Sequence, residues 1–165
     1  MAMVDDRAFL IEALARFIRD ARQVAGVRRI AVVGSLTTRK PDPKDADVLV
    51  TVGEDAEFEA LAKLGRKLKG TAQTRNHGAD IFLASVDGHY IGRTCSFREC
   101  HPRVRCGGTS CWHGGWVCDD FDVLRLKDEL IAALPLEVWP QVVVRVDLPP
   151  DIRKVLLAQG QHARQ

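Results

Sequence analysis

The stretch Arg29-Ile-Ala-Val-Val-Gly-Ser35, followed after nine residues by Asp45-Ala-Asp-Val-Leu-Val-Thr-Val52, decides how this chain is read. The apolar run ending at Val33 predicts a buried strand, closed by Gly34-Ser35. Asp47 to Val52 is rich in β-branched residues and predicts a second strand. Residues i and i+2 of a strand point to the same face, so Asp45 and Asp47 at its start present two carboxylates side by side. Two uncompensated charges against an apolar strand are unfavourable. A bound divalent cation removes that penalty, and an all-oxygen ligand set suits Mg2+, which takes few carboxylates plus substrate phosphates. Asp80 heads a third apolar run, Asp80 to Ala84. If that run neighbours the second strand, three carboxylates can hold two Mg2+ ions, the arrangement for in-line phosphoryl or nucleotidyl transfer.

Gly34 and Ser35 are the expected complement to the carboxylates. A glycine after a buried strand lets a phosphate approach the backbone closely, and the following amides and the serine hydroxyl can cradle its oxygens. Arg39, Lys40 and Lys44 lie in the connecting loop, which Pro41 and Pro43 keep from forming a regular helix. These cations are candidates to neutralise a triphosphate, against the plainer reading of exposed loop charges. His77, three residues before Asp80, is a further group within sequence reach of the site, although a surface histidine beside a glycine is the simpler reading.

Outward from this centre, residues 6–25 predict an amphipathic helix carrying Phe9, Leu10, Leu14, Phe17, Ile18, Ala21 and Val24, ended by Gly26. Residues 54–69 predict a second helix with Gly70 as its C-cap. Asp87-Gly88 predicts a hairpin turn into His89–Gly92. Residues 119–134 return to helical spacing, 141–146 predict another strand, and Pro149-Pro150-Asp151 opens a short terminal helix. The cluster Asp119, Asp120 and Asp122 is expected at the N-terminus of the 119–134 helix, where acids suit orphan amides and the macrodipole.

All five cysteines fall between Cys95 and Cys118, within a segment 93–118 that is poor in aliphatic residues. Such clustering in a reducing compartment favours a metal site over disulfides. Cys95, Cys100, Cys106 and Cys111 offer a complete tetrahedral set for one structural Zn2+, with Cys118, His101 or His113 as substitutes. An irregular segment without an apolar core gains from metal ligation the free energy needed to order it. Arg93, Arg98, Arg103 and Arg105 are interleaved there with Phe97, Trp112 and Trp116. That pattern suits single-stranded nucleic acid, but the arginines also suit a zinc–tetrathiolate unit of formal charge about −2.

The Gly34-Ser35, nine-residue gap, Asp45-x-Asp47 pattern before an apolar strand resembles the nucleotidyltransferase superfamily that includes DNA polymerase β, and looks most like its small stand-alone members. The likeness covers residues 27–85. It implies a mixed β-sheet flanked by helices, an α/β (α+β) fold. It further implies that Asp45 and Asp47 bind both catalytic Mg2+ ions and that Asp80 is the third catalytic carboxylate. Gly34 and Ser35, with Arg39 and Lys40, would bind the nucleoside triphosphate. The implied reaction moves a nucleoside monophosphate to an acceptor hydroxyl on a small molecule, protein or RNA, and releases pyrophosphate.

The chain has 165 residues, 24 Lys and Arg against 22 Asp and Glu, and 46% hydrophobic residues. That length suits one domain with an attachment, and the charge balance argues against a strongly basic nucleic-acid binder. The expected division is a nucleotidyltransferase core at 1–92, a zinc-binding insert at 93–118 and a helix–strand–helix segment at 119–165 packed on the core. No run has the length of a membrane span, and the acidic N-terminus lacks a secretory pattern, so the expected compartment is the cytoplasm. The competing expectation is a catalytically silent fold of this type, acting as a zinc-containing nucleic-acid- or protein-binding module. The resemblance also implies a third possibility, one half of a complex in which a helical partner chain supplies part of the acceptor site, although the chain's own helix at 120–134 and C-terminal strand make such a partner less necessary.

Overall fold

The computed structural model describes residues 5–95, 110–112, 116–119 and 125–157. Helix α1 (Asp6–Ala21) opens the described fold, its first turn capped by Asp5, whose side chain accepts from the Arg7 amide at 3.0 Å. Strand β1 (Val27–Val33) ends in a 3-10 turn, Gly34–Thr37, and a loop leads to β2 (Asp45–Val52). Then follow α2 (Phe58–Gln73), β3 (Gly78–Ser85), β4 (Tyr90–Thr94), β5 (Ser110–Trp112), β6 (Val117–Asp119), α3 (Asp128–Ala132), β7 (Leu136–Trp139) and β8 (Val143–Val144). A short α4 (Pro150–Ile152) runs into a π-helical turn at Arg153–Leu157.

Among the described residues, eight strands form one sheet in the order β5-β6-β4-β3-β2-β1-β7-β8. Only β2 and β3 run parallel; every other neighbouring pair is antiparallel. Parallel neighbours require a crossover, and α2 supplies it. The expected mixed sheet flanked by helices is thus the observed architecture.

The two faces of the sheet are unequal. On one, Leu10, Leu14 and Phe17 of α1 and Leu61 and Leu68 of α2 pack on Ile30, Val32, Val48, Val50, Ile81 and Leu83. Burying each such side chain contributes roughly 1.5–3 kcal/mol, so this face carries most of the stability. The other face holds a smaller cluster of Ala31, Val33, Leu49, Phe82, Ala84 and Tyr90, covered by Ile131 and Leu134. Strand alternation puts Asp45, Asp47 and Asp80 on this second face, beyond the end of its apolar patch.

Several expected elements differ in extent. Helix α2 starts later and runs past Gly70, because Ala72 is fully buried and extends the helix's core-facing side; the chain turns only at Asn76, at φ 60°. Among the described residues of the expected helix 119–134, those in helix are Asp128–Ala132, and Asp119 ends strand β6 instead of capping a helix; residues 120–124, with Asp120 and Asp122, lie outside the described residues. The expected strand 141–146 pairs only at Val143–Val144, while Val142 and Val146 are exposed. The principal strand here is β7, where Leu136, Glu137 and Val138 are all buried. Segment 93–118 is not wholly irregular: Arg93 and Thr94 extend β4, and β5 and β6 add two strands to the sheet. Among the described residues no helix is long and apolar enough to cross a membrane.

Candidate active site

The parallel β2–β3 register sets Asp45 opposite Gly78, Ala46 opposite Ala79 and Asp47 opposite Asp80. Ala46 and Ala79 turn to the large core, so the three aspartates share the opposite face. Their proximity is electrostatically legible. The Asp47 carboxyl is pushed up to about 7, first by burial and then by the charges of Asp80 and Asp45. A backbone hydrogen bond from Asp80 and the Arg93 guanidinium pull it the other way without prevailing. Asp47 Oδ1 is buried and accepts no hydrogen bond. A buried carboxylate oxygen without a donor is a costly arrangement that a cation would relieve.

Gly34 completes the crowding around Asp47. It sits at φ 77°, a left-handed backbone that L side chains rarely adopt, and a Cβ there would stand 2.8 Å from Asp47 Oδ2. On the neighbouring strand, a Cβ at Gly78 would crowd Asp45 Oδ1, so this carboxylate lies close against β3. The Gly34-Ser35 turn therefore lies directly beside the carboxylates, as its spacing from them implied.

The turn is held from behind. Thr37 Oγ1 donates to Gly34 O at 2.7 Å, and Thr38 Oγ1 donates to Ser35 O at 2.7 Å. Arg7 is buried and binds Leu36 O at 2.9 Å, Lys40 O at 3.1 Å and Asp151 Oδ2 at 2.6 Å. One guanidinium thus ties the 34–40 loop to both α1 and α4. A buried arginine in the first turn of α1 has no distinguishing mark in the sequence, and its partner Asp151, 144 residues away, gives no pointer to it.

Arg93 is the second residue the sequence left unassigned. In the sequence it sits among the arginines of the 93–118 segment, yet it lies on β4 opposite Phe82, and its Nη1 donates to Asp80 Oδ1 at 2.9 Å. The Asp87-Gly88 turn, whose Gly88 has φ 84°, fixes this hairpin register and was the available signal. The other basic candidates lie elsewhere: Arg39 pairs with Asp147 at 3.1 Å on the surface, and the Lys40 side chain is exposed. His77 Nε2 stands 3.2 Å from Asp6 Oδ2 at the start of α1.

For Mg2+, the oxygen-only donors, the orphaned Asp47 Oδ1 and the mutual charge of the three aspartates fit a divalent cation. Among the described residues, no three His, Cys, Asp or Glu side chains already converge as a metal cage. Asp80 is turned to Arg93 instead. Of the cysteines, Cys95 and Cys118 are buried and outside any disulfide, and Cys111 is paired by its backbone with Cys118. Cys100, Cys106, His101 and His113, and with them Phe97, Arg98, Arg103 and Arg105, lie outside the described residues. Trp116 is half-buried beneath the Arg66 guanidinium, 5.0 Å from the ring centroid, so this ring is engaged by α2.

Residues 2–115 match a family model described as a family of unknown function, DUF6932. The chain belongs to this family. The DUF6932 match spans Gly34, Ser35, Asp45, Asp47, Asp80 and Arg93, so every residue of the candidate site lies within the family's extent. It stops before β6 and the C-terminal elements α3 to α4. No curated protein and no solved structure matches the chain.

Proposed function

We propose that this DUF6932 protein is an Mg2+-dependent nucleotidyltransferase that moves a nucleoside monophosphate from a nucleoside triphosphate to an acceptor hydroxyl. The observation that carries the reading is the crowding of Asp47: half-buried with a buried, unpartnered Oδ1, opposite Asp80, close to Asp45 and beside the Gly34 turn. Evolution of a stable fold alone does not call for three carboxylates at one point of an apolar sheet, whereas a cation and a polyphosphate do.

In this reading the Gly34-Ser35 turn binds phosphate oxygens, and Arg7 positions that turn. Asp45 and Asp47, joined by Asp80, would hold Mg2+, which when bound neutralises the phosphates and the charge that develops in transfer. The acceptor oxygen bonds to the α-phosphorus and the bond from that phosphorus to the bridging β-phosphate oxygen breaks. Pyrophosphate leaves with the electron pair, and the hydroxyl proton passes to a carboxylate or to water. Arg93 holds Asp80 in an ion pair that Asp80 would exchange for a bound cation. The fold's finer feature belongs to the same proposal: a Cys-rich segment stabilised by one Zn2+, with Cys95, Cys100, Cys106 and Cys111 as its first ligand set. The cytoplasm is the compartment proposed for such chemistry.

The Arg93–Asp80 ion pair favours a second reading, because it already occupies the third carboxylate. A silent fold would keep that pair permanently and use the Cys- and Arg-rich segment to bind a nucleic acid or a protein.

The test is to incubate the protein and Mg2+ with each α-labelled nucleoside triphosphate and a small-molecule, protein or RNA fraction. The transferase reading predicts label in one fraction with an equal amount of pyrophosphate, both lost in Asp45→Ala. Label transfer that survives Asp45→Ala, or no pyrophosphate with any fraction, contradicts it.

A further inference from the structure

We propose that the outer face of the α1–α2 helix layer docks on the phosphate backbone of a nucleic-acid duplex. This goes beyond the transferase reading and does not depend on it, because the two helices cover the sheet face opposite the three aspartates. The carrier of the inference is charge placed by two short stretches. The end of α1 reads Arg16-Phe-Ile-Arg-Asp-Ala-Arg22, and α2 contains Lys63-Leu-Gly-Arg-Lys-Leu-Lys69. They hold seven of the chain's 24 Lys and Arg residues and one acid, Asp20. The whole chain has a net charge of only +2, so its remainder is net acidic. Such asymmetry concentrates positive potential on one surface.

Packing brings the two stretches together. Asp6 of α1 meets Arg75, just past α2, at 3.5 Å, while Asp20 lines a groove with Leu64, so the helices run antiparallel. Arg16 and Lys67 stand on opposite rims of that groove, over a floor of buried Phe17 and Leu68. Arg16, Arg19, Lys63 and Lys67 are exposed. Arg19 leans on Asp20 at 3.7 Å and Lys63 on Glu59 at 3.1 Å, but among the described residues Arg16 and Lys67 have no ion-pair partner. Each helix thus offers a row of cations about 5–6 Å apart at i, i+3 or i, i+4 spacing, and packed helices set two such rows about 8–10 Å apart.

The chemistry of the surface selects the partner. The groove has a free volume of about 30 Å3, room for water but not for a nucleoside, so a ligand lies across the rims. An anionic membrane holds an amphipathic helix by inserted apolar side chains. The exposed large hydrophobics, Val86, Val142 and Val146, lie on neither helix. A protein interface has an apolar or aromatic centre, which this face lacks for the same reason. A single strand adds stacking on aromatic rings. Here Phe17 and Phe58 are buried, and Phe9 lies under the Arg75 guanidinium, 4.0 Å from the ring centroid. What remains is recognition of backbone phosphates by spaced cations, which needs no apolar anchor. Two parallel rows meet the two strands that border a duplex groove, where a single strand engages one.

The experiment titrates the full chain into fluorescently labelled RNA and DNA duplexes of equal length, between about 50 and 200 mM salt, and reads anisotropy. Wild type is expected to bind, with log affinity falling linearly against log salt, and the tighter duplex identifies which backbone is preferred. The triple variant Arg16→Gln, Lys63→Gln, Lys67→Gln is expected to lose at least tenfold in affinity at about 50 mM salt and to lower the salt slope by about two to three. Its thermal melt should stay that of wild type, because all three side chains are exposed. The charge-keeping variant Arg16→Lys, Lys67→Arg should bind as wild type does, which separates lost charge from lost folding. No binding of either duplex at about 50 mM salt overturns the proposal, as does a salt slope that the triple variant keeps. Single-stranded RNA or polyglutamate that competes as well as duplex at equal charge overturns the duplex as occupant. Binding that the triple variant keeps and Arg103→Gln with Arg105→Gln loses places the contact in the Cys-rich segment and overturns it as well.

Discussion

Asp80 stands opposite Asp47 in the parallel β2–β3 ladder while accepting a 2.9 Å hydrogen bond from Arg93 on the next strand. The first relationship concentrates negative charge at one point of the sheet, and the second partly offsets it. The balance falls on the side of strain, since the Asp47 carboxyl remains pushed up to about 7.

That shift makes stability depend on pH with a defined sign. Asp47 has a folded value of about 7 against an ordinary 3.8. Its contribution to stability is therefore complete below the ordinary value and is lost as pH rises through the folded one. Asp47→Asn removes the loss, which amounts to at most about 4 kcal/mol. In urea denaturation with EDTA present, the variant should match wild type at about pH 4 and exceed it at about pH 8. An equal difference at both pH values would contradict the assignment.

Arg93→Gln should expose the competition for Asp80. Without the guanidinium, the three carboxylates lose their nearest cation and the metal-free protein becomes less stable above neutral pH. Millimolar Mg2+ should then raise the melting temperature by more in the variant than in wild type, because the cation no longer displaces Arg93. Equal Mg2+ responses would show that the ion pair and the cation do not share Asp80.

Gly34→Ala should fail on two counts, its φ of 77° and a Cβ placed 2.8 Å from Asp47 Oδ2. The expected loss is about 1–3 kcal/mol of stability together with loss of nucleotide binding. Ser35→Ala, on a half-buried residue of the same turn, should weaken binding with little change in stability. Thermal unfolding and nucleotide titration of both variants separate the two effects.

Arg7→Leu tests the clamp behind the turn. It leaves the carbonyls of Leu36 and Lys40 without their guanidinium donor, for a loss of about 2 kcal/mol. Burial would raise the Asp151 carboxyl, but the Arg7 hydrogen bond, the Ile152 amide and the Arg7 charge together hold it below its ordinary value. Stability from this pair is present above that ordinary value and lost as pH falls through the depressed one. Acid unfolding of Asp151→Asn should therefore differ from wild type less at low pH than at neutral pH.

Much of this architecture was legible because local patterns and the fold agree. The β-branched run after Asp47 and the apolar run after Asp80 are β2 and β3, and the condition for a three-carboxylate site, that the two strands be neighbours, holds; their parallel sense follows from the α2 crossover and had no signal in the sequence. The elements misjudged are those whose extent depends on tertiary partners. Gly70 looks like a helix end, yet Ala72 is fully buried and the helix continues. The valines at 142–146 look like a strand, but the sheet takes Leu136–Trp139 as its main partner for β1. Arg7 and Arg93 were hidden because an arginine in a helix's first turn or beside a Cys-rich segment reads as surface. Their partners, Asp151 and Asp80, are 144 and 13 residues away.

The central claim is a nucleotide site built on Asp45, Asp47 and the Gly34 turn, and calorimetric titration tests it most directly. The four nucleoside triphosphates are titrated, with and without Mg2+, into wild type and Asp45→Ala. Asp45 is exposed, so its loss leaves the fold intact. The account predicts Mg2+-dependent binding of at least one triphosphate to wild type and none to the variant. Binding that needs no Mg2+ or survives Asp45→Ala would contradict it, as would the absence of binding to folded wild type at millimolar nucleotide.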